Sequence, residues 1–96
     1  MLFFYYLKSQ IERTVKNSRV TYNNWHIGLT QRNVEERISE HKKEGDKIHG
    51  LTVFPVDTLQ EAQDIERYFI HKRGMKGGTG GQLSPNKDTQ IYIYWN

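Results

Sequence analysis

The chain has 96 residues, no cysteine, 26% charged residues and a formal net charge of +3. A chain this short buries only about two thirds of its unfolded surface and sustains one core, so a single domain over residues 1–96 is expected and two independent cores are excluded. The lack of cysteine excludes a disulfide framework and a cysteine zinc site, and the mild positive charge suits a polyanionic partner without reaching the dense basic patches of dedicated nucleic-acid binders.

In chain order, the opening "MLFFYYLKSQ" is apolar for only about seven residues and has neither a basic lead nor a small-residue cleavage site, so no signal peptide or membrane span is expected. A cytoplasmic protein with no membrane partner follows as an expectation. Phe4, Leu7, Ile11 and Val15 fall at the three-and-four spacing of an amphipathic helix reaching about Asn17. A strand over "LFFYYL" competes with it, because aromatic residues favour pleated surfaces. "RVTYNNWHIGLT" reads as a strand with a bend at its asparagine pair. Asn33 with Glu36 forms a capping box that opens a helix, and Gly45 supplies its left-handed stop. "IHGLTVFPV" is a second strand whose Pro55 belongs at an end or on an edge, where no ladder hydrogen bond is lost. Thr58 and Glu61 cap a helix from Leu59 to about Arg73, ending at Gly74. A glycine-rich loop, "GMKGGTGGQLSPNKD", follows, and "TQIYIYWN" closes the series as a strand by its period of two. The predicted architecture is an α/β fold of the α+β type: a small three-stranded mixed or antiparallel sheet flanked by three helices.

Both later helices carry polar groups beside their apolar stripes. Val34 and Ile38 define the stripe of the first, and Arg37 and His41 adjoin it. In the second, Ala62, Ile65 and Phe69 form the stripe and Glu66 borders it. Burying a charge costs several kcal/mol or more unless it is paired, so these placements call for an anionic partner for Arg37 and a cationic one for Glu66. A structural ion pair of Glu66 with Arg37 or Arg67 is one solution, and a functional site at one edge of the domain is the other.

"HIGLT", then Arg37, then His41 one helical turn on, and the later glutamate in "EAQDIERYFI" together resemble the GIY-YIG nuclease domain over about residues 22–81. The resemblance implies a metal-dependent nuclease that hydrolyses phosphodiesters of DNA or RNA. It implies Glu66 as the ligand of one divalent ion, Mg²⁺ or Mn²⁺, Arg37 as the phosphate clamp, and His41, His26 and Tyr22 as the proton-handling groups. Those residue types suit the reaction: it needs a base for water, positive charge for the developing oxyanion, and a hard cation that keeps most of its waters. The family's first half-motif lies on a neighbouring strand roughly a dozen residues upstream, where this chain reads "TVKNSRV" and has no tyrosine. Tyr22, or Tyr5 and Tyr6 if "LFFYYL" is a strand, would have to substitute.

The glycine loop lacks the Lys-Ser/Thr pair of a P-loop. Its amides at Gly77 and Gly78, with Lys76 and the nearby Lys72 and Arg73, can be read as a phosphate-binding nest or as a plain connection. No pair among His26, His41, His49 and His71 has zinc-ligand spacing. Trp25 and Trp95 are expected in the core. Tyr92 and Tyr94 share one face of the last strand, and an exposed tyrosine face on a terminal edge strand would suit a homodimer or a protein partner. The expected partner is nucleic acid or a nucleotide. The alternative to catalysis is an inactive protein of the same fold that holds a nucleotide, a nucleic-acid backbone or a partner protein through Arg37, His41 and the glycine loop, as an inhibitor or sequestering protein.

Overall fold

The computed structural model describes residues 2–78 and 83–96. The chain runs α1 (Leu2–Ser18), a short 3-10 turn at Tyr22–Asn24, β1 (Trp25–Thr30), α2 (Val34–Lys43), β2 (His49–Val56), α3 (Leu59–His71), β3 (Lys76–Gly77) and β4 (Thr89–Trp95). The opening segment is therefore the helix, not the strand: Leu7, Ile11 and Val15 are buried on one stripe while Tyr5 and Tyr6 stand exposed. No described helix is long and apolar enough to cross a membrane.

The sheet has four strands in the order β2-β4-β1-β3, one more than predicted. β4 runs antiparallel to both β1 and β2, and β3 adds a short parallel pairing of Lys76 and Gly77 with His26 and Ile27. The extra strand exists because of glycine. A Cβ on Gly77 would collide with the carbonyl oxygen of Ile27, and its φ of 136° disfavours any other residue. Pro55 lies on β2, an outer strand, as its missing N–H requires.

The last strand corrects a second expectation. β4 is not an edge but the centre of the sheet, hydrogen-bonded on both sides, so it offers no ladder to a second copy or a protein partner. Its tyrosine face is not wet either: Tyr92 is 2% and Tyr94 0% exposed, covered by Ile38 of α2. The connection that returns the chain to this central slot is pinned by Gln31, which donates to the Ser84 carbonyl and Thr89 Oγ1 and accepts from the Ser84 amide. That segment thereby docks on the end of β1.

α3 packs Ala62, Ile65 and Phe69 against Trp25, Ile27, Ile91 and Ile93, and α1 lies beside α3. Each fully buried side chain of this size contributes about 1.5–3 kcal/mol. Trp95 is only partly buried and stacks with His49, ring centroids 4.3 Å apart. Helix ends follow the sequence with small adjustments. Asn33 caps α2, but its side chain accepts from the amide of Glu35 and not of Glu36. Thr58 and Glu61 close their capping box through both Thr58 Oγ1 contacts, and α3 stops at His71, short of Arg73.

Candidate functional site

On the α2 side of the sheet a cavity of about 440 Å³ opens, with Gly28 at its floor and His26, Arg37, His41, Glu66 and Tyr92 around it. Four elements supply these groups. β1 gives His26 and Gly28, α2 gives Arg37 and His41, α3 gives Glu66, and β4 gives Tyr92, with Tyr94 behind it. β3 pairs only with His26 and Ile27, so the sheet narrows beside Gly28, and Gly77 and Gly78 line that wall together with Glu66.

Registry explains the floor. Gly28 pairs with Tyr92 and His26 pairs with Tyr94 across the β1–β4 ladder. A Cβ on Gly28 would overlap the Tyr92 ring, so the missing side chain makes room for a phenol lying over β1. His26 stacks on Tyr94 with ring centroids 4.9 Å apart and planes 7° from parallel. Burial lowers the His26 pKa, with Asp46 opposing that shift, so the imidazole is neutral at pH 7.

Arg37 has found its anion within its own helix. Its guanidinium donates to Glu40 Oε1 at 2.8 Å, and Glu40 also takes two N–H bonds from Arg32. Those hydrogen bonds hold the Glu40 carboxyl down to about 2. The Arg37 side chain is 25% exposed and spends one contact on Glu40, so the rest of its planar fork faces the cavity or solvent.

Glu66 is the reverse case. It makes no hydrogen bond or ion pair among the described residues, because Arg37 pairs with Glu40 and Arg67 with Asp64 at 3.4 Å. Burial raises its carboxyl pKa, with the nearby Arg67 opposing. The structural ion pair considered for this residue does not form among the described residues.

His41 stands between two partners. Its Nε2 lies 2.8 Å from the Tyr92 hydroxyl, and its Nδ1 lies 3.7 Å from Asp46 Oδ2. Burial, then Arg37, lowers the His41 pKa against the opposing pull of Asp46. Burial raises the pKa of Tyr92. Tyr94 donates to Asp46 Oδ2 at 2.7 Å and is pushed up by burial and by that bond, so both phenols are protonated at neutral pH.

Two predicted site residues fall elsewhere. Tyr22 sits on the opposite side of the sheet, its ring stacked on Phe69 and covered by the Arg73 guanidinium, as part of the main core. Its position just before β1, in the 3-10 turn, points it to the α3 layer and removes it from proton handling in this cavity. Lys76 is exposed on β3 outside the cavity lining, and Arg73 pairs with Glu12 of α1, so the nest as drawn from sequence loses those cations. Gly77 and Gly78 remain on the cavity wall. The part of the glycine loop at residues 79–82 lies outside the described residues.

Conversely, Tyr92 and Tyr94 read from sequence as an exposed edge face and not as site residues, and Asp46 is not singled out at all. The period of two did separate the tyrosines from Ile91 and Ile93; only the central position of β4 turns that face into a site. Asp46 follows the helix-stopping Gly45, and its own signal is that spacing. Comparison with known proteins finds no family model, no curated protein and no solved structure that matches the chain.

Proposed function

We propose that this chain is a metal-assisted phosphodiesterase of GIY-YIG type acting on DNA or RNA. The observation that carries the proposal is the convergence of Arg37, His41, His26 and Glu66, four of the residues that the resemblance implies, on one cavity floored by Gly28. The missing first tyrosine also finds an answer. In the family layout it stands on the strand beside the second half-motif, and here β4 pairs with β1 and brings Tyr92 over Gly28. The tyrosine strand comes from the end of the element order instead of its beginning.

The chemistry assigns a role to each group. Arg37, oriented by Glu40, takes a non-bridging phosphate oxygen, where its fork geometry and permanent charge stabilise the added negative charge of the pentavalent transition state. His26 and the His41–Tyr92 pair are the groups able to move a proton from water at the open end of the cavity. Glu66 suits a hard divalent cation: it is an oxygen donor with no ion-pair partner among the described residues, it borders the cavity, and burial makes its charge costly until one arrives. No group of three carboxylate, histidine or cysteine side chains fit to hold a metal occurs among the described residues, so Glu66 alone would ligate Mg²⁺ or Mn²⁺, which keeps several of its waters. Such an ion supplies positive charge to the phosphate oxygens.

The test is cleavage of labelled single- and double-stranded DNA and RNA with Mg²⁺ or Mn²⁺, comparing wild type with Glu66→Gln and Arg37→Ala. Metal-dependent cleavage, lost in both folded variants, is the expected result. Absence of cleavage by folded wild type on every substrate, with Arg37-dependent binding of the same nucleic acids, would replace the enzyme by a binding protein built on the same cavity.

A further inference from the structure

We propose that Asp46 is a positioning residue that holds His41 in its Nδ1–H form, so that Nε2 carries the lone pair and accepts the Tyr92 phenolic proton. The inference rests on the nuclease reading only for its catalytic consequence; the proton placement stands on geometry.

The geometry starts with the end of α2. Gly45, at φ 100°, closes the helix by sending its amide to the Lys42 carbonyl and the Asp46 amide to the His41 carbonyl. This pair of bonds folds the chain back and fixes the Asp46 backbone against the residue whose ring it faces. The Asp46 side chain is then tied from two directions, by the Tyr94 hydroxyl on Oδ2 at 2.7 Å and by Asn96 Nδ2 on Oδ1 at 3.4 Å. Held there, Oδ2 lies 3.7 Å from His41 Nδ1. That is longer than a hydrogen bond but close enough for the carboxylate to select between tautomers. An Nδ1 lone pair turned toward the carboxylate is repelled, and an Nδ1–H is attracted. The other nitrogen must then be an acceptor, and the Tyr92 hydroxyl, 2.8 Å away, is the donor placed to meet it.

The order Asp46, His41, Tyr92 repeats the logic of a carboxylate-oriented imidazole that takes a proton from a hydroxyl. It solves a difficulty at this site: a buried, protonated phenol is no base by itself. With Nε2 free to accept, a water proton passes to the Tyr92 oxygen as the phenolic proton passes to His41 Nε2. The water oxygen bonds to phosphorus, and the bond from phosphorus to the leaving oxygen breaks. That oxygen takes a proton from solvent, and His41 later returns its extra proton to solvent.

Imidazole ¹⁵N chemical shifts of His41 read the tautomer directly, in the isolated protein without metal or substrate, at a pH where the ring is neutral. Wild type should show a protonated Nδ1 and a bare Nε2. Asp46→Asn, which keeps an acceptor for Tyr94 but removes the charge, should move His41 toward the Nε2–H form. Tyr94→Phe, which frees the same loop but keeps the carboxylate, should not. A wild-type Nε2–H, or a tautomer unchanged in Asp46→Asn, overturns the proposal. Where cleavage is found, Asp46→Asn should lower kcat roughly 10²-fold and leave KM nearly unchanged, a split that a loosened fold would not give. If the tautomer is as stated and no substrate is cut, the proton placement stands and the nuclease reading fails.

Discussion

The two faces of the sheet are made by the same strands and do different work. On the α3 side, Trp25, Ile27, Ile91 and Ile93 meet Ile65 and Phe69 in a wholly apolar layer. On the α2 side, the alternate residues of β1 and β4 are His26, Gly28, Tyr92 and Tyr94, met by Ile38 and His41. Because side chains alternate along a strand, one register serves both layers, and each apolar residue that fixes the core also fixes the position of a polar neighbour on the other side. The apolar core and the polar cavity are thus separated by face yet locked together by register.

The largest effect should come from the core face. Phe69→Ala leaves a cavity under β1 and β4 and should cost about 3–5 kcal/mol, read as a fall in the urea midpoint without a change in slope. Gly28→Ala should follow at about 1–3 kcal/mol, because the new methyl overlaps the Tyr92 ring and Tyr92 is too enclosed to move away freely. It acts on the site face and should also displace the phenol from His41. Loss of cleavage accompanied by unchanged stability in Gly28→Ala would show that the ring has room the packing does not suggest.

Tyr92→Phe sharpens the comparison further. Removing one hydroxyl costs about 1 kcal/mol by loss of the His41 hydrogen bond. Cleavage, by contrast, should fall roughly 10²-fold or more if the phenol handles the water proton. Measured together, the two numbers distinguish a site residue from a packing residue, since Phe69→Ala should move stability far more than the rate per folded molecule.

Much of this separation was legible in the sequence. The stripes of α1 and α3, the glycine stop at Gly45 and the alternation in "QIYIYW" were local patterns, and local patterns decide which residues share a face. Arg37, His41 and Glu66 were found because each broke such a pattern by placing charge beside an apolar stripe. Strand order was not legible. Nothing local says that β4 inserts between β2 and β1, and that insertion buries Tyr92 and Tyr94, supplies the phenol over Gly28 and removes the predicted edge. Tyr22 failed for a different reason: the 3-10 turn of three residues before β1 breaks the strand's alternation and carries it to the opposite layer. β3 rests on a backbone approach at Gly77 that a two-residue segment cannot announce through periodicity.

The smallest expected effect is also the one that tests the two-face division most directly, through pH. Burial lowers the pKa of both His26 and His41 in the folded chain below the ordinary histidine value of about 6.5. As pH falls below that value, the unfolded chain takes up protons that the folded chain refuses, so stability declines until the folded pKa values are passed, and is independent of these groups above about pH 7. Glu66 acts with the opposite sign. Its folded pKa is raised, so it contributes a gain in stability as pH falls through that value toward the unfolded one near 4.3. The histidine decline should therefore dominate between about pH 7 and the acidic side of 6 in urea unfolding followed across pH. His26→Gln and His41→Gln should each flatten that decline, and Glu66→Gln should leave it in place while removing the opposing gain. Phe69→Ala should lower the whole curve without bending it, because it removes only apolar contacts with the core. An equally steep decline in both histidine variants would mean that the protons are taken up elsewhere, and the α2 face would lose its claim to be the titrating half of the molecule.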